Sequence, residues 1–160
     1  MTQHEIAIVG GGPAEGEIRQ LFSWADEGRV VFAGERPPGE VLTAMERADI
    51  LAWPGCREAY GMVYLEAATR GTPAAALNNM GVPLVVADGR SGLLADPGDA
   101  KHYAAVLKRM IADGGLRRRL GEGARRFALE ERSGGRAAAR LKDIIEGVFS
   151  RQDAQHGADI

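Results

Sequence analysis

The sequence predicts an α/β protein: a Rossmann-like parallel sheet flanked by helices, with a helical C-terminal part. Three observations carry this prediction. Short apolar runs closed by glycine or proline alternate with helical stretches through the first half of the chain. The second half repeats apolar residues at helical spacing. The 160 residues suffice for one domain with a buried core, read here as residues 1–150 followed by a loose tail, 151–160.

The elements follow in order. "EIAIV" (5–9) and "VVFAG" (30–34) are β-branched runs that end on glycine, as buried strands do. "ADILAWP" (48–54) is a third strand, stopped by Pro54, and "PAAAL" (73–77) a weaker fourth, poor in β-branched residues. Helices are expected between them over 15–26, 39–47 and 61–70. Strands alternating with helices predict βαβ units on a parallel sheet. Farther on, Tyr103, Val106, Leu107, Met110 and Ile111 share one helix face, with Asp99 placed to cap its start. Leu116, Leu120, Ala124 and Phe127 repeat the pattern. Leu141, Ile144, Ile145, Val148 and Phe149 repeat it again after the glycine pair at 134–135.

The stretch "IVGGGPAEG" behind the first strand invites a dinucleotide reading. That finger needs G-x-G-x-x-G, the third glycine letting the helix pack on the strand. Gly10 and Gly12 fill the first two places and Glu35 could pass for the ribose-binding acid, but Glu15 stands in the third place. Gly10 to Gly12 are therefore read as a tight strand-to-helix turn, with Pro13 at the helix entry.

Composition describes an ordinary globule, 45% hydrophobic and 26% charged, with net charge −2. No apolar run approaches the roughly 18 residues of a membrane span. The N-terminus lacks a secretory signal, and one cysteine, Cys56, allows no internal disulfide framework. A cytoplasmic chain is expected. Residues 1–100 hold 7 Lys/Arg against 14 Asp/Glu, whereas residues 101–151 hold 13 against 6. The basic segment offers a peripheral membrane contact, but Arg117, Arg118, Arg119, Arg125 and Arg126 read first as the wet face of a helix. No aromatic residues interleave as a nucleic-acid platform requires, so no nucleic-acid partner is expected.

The strongest chemical signal is "WPGCREAYGMVYLEAATRGTP". Glu58 and Glu66 stand eight apart, the first in a loop and the second on the helix that starts near Gly61. Ala67 and Ala68 give that helix a slim face. A helix N-terminus at the carboxyl edge of a parallel sheet is an anion site, and a carboxylate there can accept hydrogen bonds from neighbouring sugar hydroxyls. Two surface glutamates on an amphipathic helix would leave the same pattern.

"REAYGMVYLEAATRGTP" resembles the E-x7-E segment of the retaining GT-B glycosyltransferases of group 1, the large set often called family 4. "IVGGGP", "VVFAGERPPGEVLTAMERADILAWPG" and "GVPLVVADGRSGLLADPGDAKHYAAVLKRMIADGGLRRRLGEGARR" resemble the neighbouring parts of that family's donor domain, in the same order. The resemblance covers nearly all of residues 5–149. It implies a GT-B half-domain without its first strand, binding a nucleotide-diphosphate sugar for transfer of a hexosyl group. It makes Glu58 the catalytic residue, holding hydroxyls of the donor hexose, and gives Glu66 the ribose. The amides of Gly61, Met62 and Val63 would meet the sugar and distal phosphate, and the Gly34, Glu35 and Arg36 loop would border the base. It implies no metal and no other cofactor. His4, His102 and His156 are scattered, as that expectation requires.

Departures from the family pattern are informative. Family members run to roughly twice this length, with a separate acceptor domain as the implied partner. The family's diphosphate-clamping Arg and Lys have no match, residues 1–100 contain no lysine, and Arg57 is the one nearby substitute. Met80 stands where the family has a glycine, and Leu84 where it has a glutamate. Besides a donor-binding part of an enzyme, a non-catalytic nucleotide-sugar module and a structural remnant acting through a partner chain stay open. An uncovered apolar face would favour a homodimer.

Overall fold

The computed structural model describes residues 4–23, 28–56 and 58–156; of the side chains after Gly147 nothing is described. The chain forms two compact units, divided between Ala44 and Met45.

The first unit opens with β1 (Ile6–Val9), a turn, and α1 (Glu15–Leu21), followed by β2 (Val30–Gly34). β1 pairs with β2 in parallel, Ile6 opposite Val30, with a register shift after Ile8. The turn is the tight strand-to-helix connection expected: Gly10 donates its amide to the Gly34 carbonyl at 2.9 Å and has φ +119°. α1 reaches Leu21, and residues 24–26 of the expected helix lie outside the described residues. The strands are less buried than their β-branched composition predicts. Ile6 is 46% exposed and Val31 50%. Among the described residues this ladder has two strands. α2 (Pro38–Arg47) then carries the chain across the division.

The second unit holds a separate three-stranded parallel sheet in the order β3-β4-β5, with β3 Leu51–Ala52, β4 Ala74–Leu77 and β5 Gly92–Ala95. The single run of strands expected from the sequence is thus paired in two ladders. β3 has two residues because Trp53 and Pro54 follow at once, and proline cannot donate to a ladder.

β4, the weakest strand by composition, is the centre of this sheet and buried throughout. Its side chains alternate between two cores. Ala74 and Ala76 join Tyr64, Leu65 and Ala68 of α3 (Met62–Thr69), Val82 and Val85 of α4 (Val82–Val85), and Ala124. Ala75 and Leu77 join Val106 and Met110 of α5 (Ala100–Ala112) with Leu116 and Leu120 of α6 (Gly114–Arg126). Helices therefore cover both faces of β4, and alanine is what lets them come close. This explains why strand propensity underrated it.

α5 starts where expected: an Asp99 carboxylate oxygen accepts the amides of Lys101 and His102, both at 2.9 Å. α6 carries two interior glycines that cost helix propensity, and contact explains them. A Cβ on Gly121 would overlap the Gly71 carbonyl, and one on Gly123 the Arg90 carbonyl. The helix continues as a π-helical turn, Phe127–Glu131, with Arg90 and Arg132 stacked over the Phe127 ring at 5.0 and 4.9 Å.

The basic face of α6 is partly committed to structure. Arg117 donates to the Met110 and Ile111 carbonyls at 2.8 Å and pairs with Asp49 at 3.2 Å, while Arg125 donates to Thr69 at the end of α3. Arg118, Arg119 and Arg126 are exposed, as a wet helix face requires. α7 (Gly134–His156) runs past residue 150, into the segment read as a tail, and residues 157–160 lie outside the described residues. Its expected apolar face is largely uncovered, with Leu141, Ile144 and Ile145 46–58% exposed. Among the described residues no helix is long and apolar enough to cross a membrane.

Candidate functional site

β3 ends at Ala52, and the chain reaches the start of α3 through residues 53–61. The backbone of this connection is specialised at two places: Gly55 has φ +60° and Gly61 φ +86°, both in the left-handed region. Gly61 is the residue before α3, and no side chain caps that helix. Among the described residues the Met62 and Val63 amides of its first turn have no backbone acceptor and remain available to an anion, whereas the Tyr64 amide donates to the Gly61 carbonyl at 3.1 Å.

Glu58 lies on this connection. Its amide donates to the Gly55 carbonyl at 3.2 Å. Its Cγ stands 3.1 Å from where a Gly61 Cβ would be, so the carboxylate stem passes over the start of α3. Glu66 is exposed, one turn along from the exposed Met62, while Tyr64, Leu65, Ala67 and Ala68 of the same helix are buried. The slim face expected at Ala67 and Ala68 is thus packed inward. Among the described residues neither the Glu58 nor the Glu66 carboxylate makes a hydrogen bond or ion pair. Trp53, Tyr60 and Met62 present apolar surface nearby, 41–58% exposed.

One loop and one helix therefore bring Glu58, Gly61, Met62, Val63 and Glu66 together. Gly34, Glu35 and Arg36 belong to the other unit. There Gly34 has φ +67° at the end of β2, the Glu35 stem lies 3.6 Å from a Cβ position on Gly11, and Arg36 pairs loosely with Glu40 at 3.8 Å. Arg57, the candidate substitute clamp, lies outside the described residues.

Sequence reasoning missed the supports of the loop. Tyr64, 1% exposed, donates its hydroxyl to the Trp53 carbonyl at 3.0 Å. Burial first, then Tyr103, Glu58 and Cys56, raise that hydroxyl well above the ordinary phenol range. Asn79 reaches the Gly55 carbonyl with its Nδ2 at 3.5 Å, and its buried Oδ1 has no partner among the described residues. A Cβ on Gly81 would overlap the Ala59 carbonyl, so the turn after β4 presses directly on this loop. A small residue at 81 was the only sequence signal of that approach.

Met80 has φ +43° and is 67% exposed. Left-handed backbone costs about 1–2 kcal/mol in a residue with a Cβ. Glycine's extra unfolded-state entropy returns about 0.5–1 kcal/mol of that. Met80→Gly is therefore expected to stabilise the chain by about 0.5 kcal/mol, a rise of about 1–2 °C in Tm. A thermal melt checks it, and a lower Tm would mean that the methionine side chain contributes packing outweighing its strain.

Comparison with known proteins gives a consistent pattern. A family model described as glycosyl transferases group 1 matches residues 2–127. The D-inositol 3-phosphate glycosyltransferase of Corynebacterium jeikeium is 38% identical over 128 residues, which are 75% of this chain and 30% of that one. The chain thus spans about a third of its relative's length. Among solved structures, sucrose-phosphate synthase from Thermosynechococcus elongatus aligns with TM-score 0.76 and 25% identity, over 92% of this chain and 39% of that one. Anabaena HepE in complex with UDP aligns with TM-score 0.76 and 24% identity, over 94% and 42%. The fold is the Rossmann-like one of GT-B proteins.

Proposed function

Because this chain belongs to the glycosyl transferases of group 1, we propose that its β3–α3 connection holds a nucleotide-diphosphate sugar for retaining transfer of the hexosyl group. The observation that carries this reading is a pair of carboxylates, Glu58 and Glu66, that have no hydrogen-bond or ion-pair partner among the described residues and stand beside the uncapped start of α3. Glu58, over that start, accepts hydrogen bonds from hydroxyls of the donor hexose. Glu66, one turn along, accepts from the ribose. The amides of Gly61, Met62 and Val63 face the distal phosphate.

The chemistry follows from that placement. The bond between the anomeric carbon and the diphosphate oxygen breaks, and an acceptor hydroxyl oxygen bonds the same carbon with configuration retained, its proton passing to the departing diphosphate. Negative charge grows on the departing diphosphate, and the α3 N-terminus, equivalent to roughly +0.5 charge, opposes it without a metal. The acceptor is held by a further domain or a partner chain.

Calorimetry with UDP, GDP and ADP and their hexose conjugates tests the reading. Weak binding is expected, on the order of 0.1–1 mM or about −5.5 to −4.1 kcal/mol. Glu66→Ala should weaken nucleotide binding by about 1.5–3 kcal/mol, the range of a charge-assisted hydrogen bond. Glu58→Ala should weaken the nucleotide-sugar more than the bare nucleotide. Equal affinities for wild type and both variants would sink the assignment.

A further inference from the structure

The loop that carries Glu58 is closed at both ends by one side chain. Tyr64 enters from the first turn of α3 and is almost completely buried, 1% exposed. Its hydroxyl serves the entry of the loop. It donates to the Trp53 carbonyl at 3.0 Å, and a Cβ on Gly55 would overlap it. Its ring edge serves the exit, where a Cβ on Gly61 would fall 2.5 Å from Cδ2 and 2.7 Å from Cε2. Both glycines are in left-handed conformations, which leaves room for the tyrosine beneath them. The Glu58 stem follows the same path, its Cβ 3.5 Å from the Gly55 Cβ position and its Cγ 3.1 Å from that of Gly61.

We propose that Tyr64 is a positioning residue for Glu58, tying the two ends of the loop together so that the carboxylate is held over the start of α3. The inference rests on the reading of Glu58 as a ligand of the donor sugar. Two properties of the site follow. Loosening the entry of the loop frees Glu58, because its amide is bonded to Gly55 at that end. Glu66 is insulated from such a change, because it stands on the helix and not on the loop.

Tyr64→Phe separates holding from packing. The ring still fills the core, while the hydroxyl bond to Trp53 is lost and that carbonyl is left unpaired. Amide hydrogen exchange and calorimetry on the same variant give two independent readouts. Exchange at the Glu58 amide is expected to quicken about tenfold, the loss of one such bond, with α6 unchanged. Affinity for UDP-glucose, GDP-mannose or ADP-glucose, whichever the wild type binds, is expected to fall about fivefold to tenfold, with the matching bare diphosphate within twofold. Unchanged exchange at Glu58, or an equal loss for nucleotide and nucleotide-sugar, would overturn the proposal. A wild-type chain that binds none of these compounds overturns the donor-site reading instead, and Tyr64's link to a sugar with it. The exchange result would even then decide whether Tyr64 holds the loop.

Discussion

The 160-residue chain on its own is expected to release nucleoside diphosphate no faster with an acceptor present than without one. Glu58, Glu66 and the α3 amides position one reactant under the reading proposed above. Holding the second reactant in line is worth about 7–11 kcal/mol of a barrier, roughly five to eight powers of ten in rate. The chain spans 30% of its relative's length. Binding of a nucleotide-sugar should therefore outlive its transfer by orders of magnitude. The measurement is free diphosphate over time, with purified chain, the nucleotide-sugars named above and a broad acceptor panel. Steady acceptor-dependent release by this chain alone would show that these residues hold both reactants.

Gly123→Ala should destabilise the second unit by about 2 kcal/mol, and Gly121→Ala by a similar amount. Taken alone, alanine would favour the helix by about 1 kcal/mol. The added methyl would instead overlap the Arg90 carbonyl at position 123 and the Gly71 carbonyl at 121. Both obstacles are backbone, which cannot swing aside, so α6 must lift from the turn it covers. Overpacking of that kind costs about 1–3 kcal/mol, and more where nothing yields. A fall of about 4–8 °C in Tm would accompany it. Gly135, in the first turn of α7 with nothing within 4 Å of its Cβ position, is the control. Gly135→Ala should leave Tm unchanged or raise it. Equal melting of Gly123→Ala and wild type would mean that α6 does not need this close approach.

How much of this was legible depends on whether the cause is local. α5 was readable in its cap and most of its apolar stripe, which are set by residues within a few positions of each other, although Ile111 of the expected face is exposed. The loop between β3 and α3 was readable as a motif, since Glu58, Gly61 and Glu66 sit within nine residues of chain. β5 and α4 were not read. "GLLA" is too short to show a period, and "VPLV" has strand-forming valines in a helical turn. Val82 and Val85 are buried to within 1% against α3 and β4, and that packing overrides their propensity.

Residue order by itself was enough for the alternation of strands and helices up to β4, the Asp99 cap, the spacing of the two glutamates and the family. All of these are written in short stretches of chain. Packing in three dimensions makes four alanine-rich residues the central strand, lets Tyr64 close the loop bearing Glu58, and leaves no room for a side chain at Gly81, Gly121 and Gly123. The glycine approaches join segments 22 to 50 residues apart in sequence, and the Tyr64 contacts, though within 11 residues of it, depend on how the loop folds back over the ring. Such an approach is fixed by the room left when both faces of β4 are covered, and no local pattern records how much room that is.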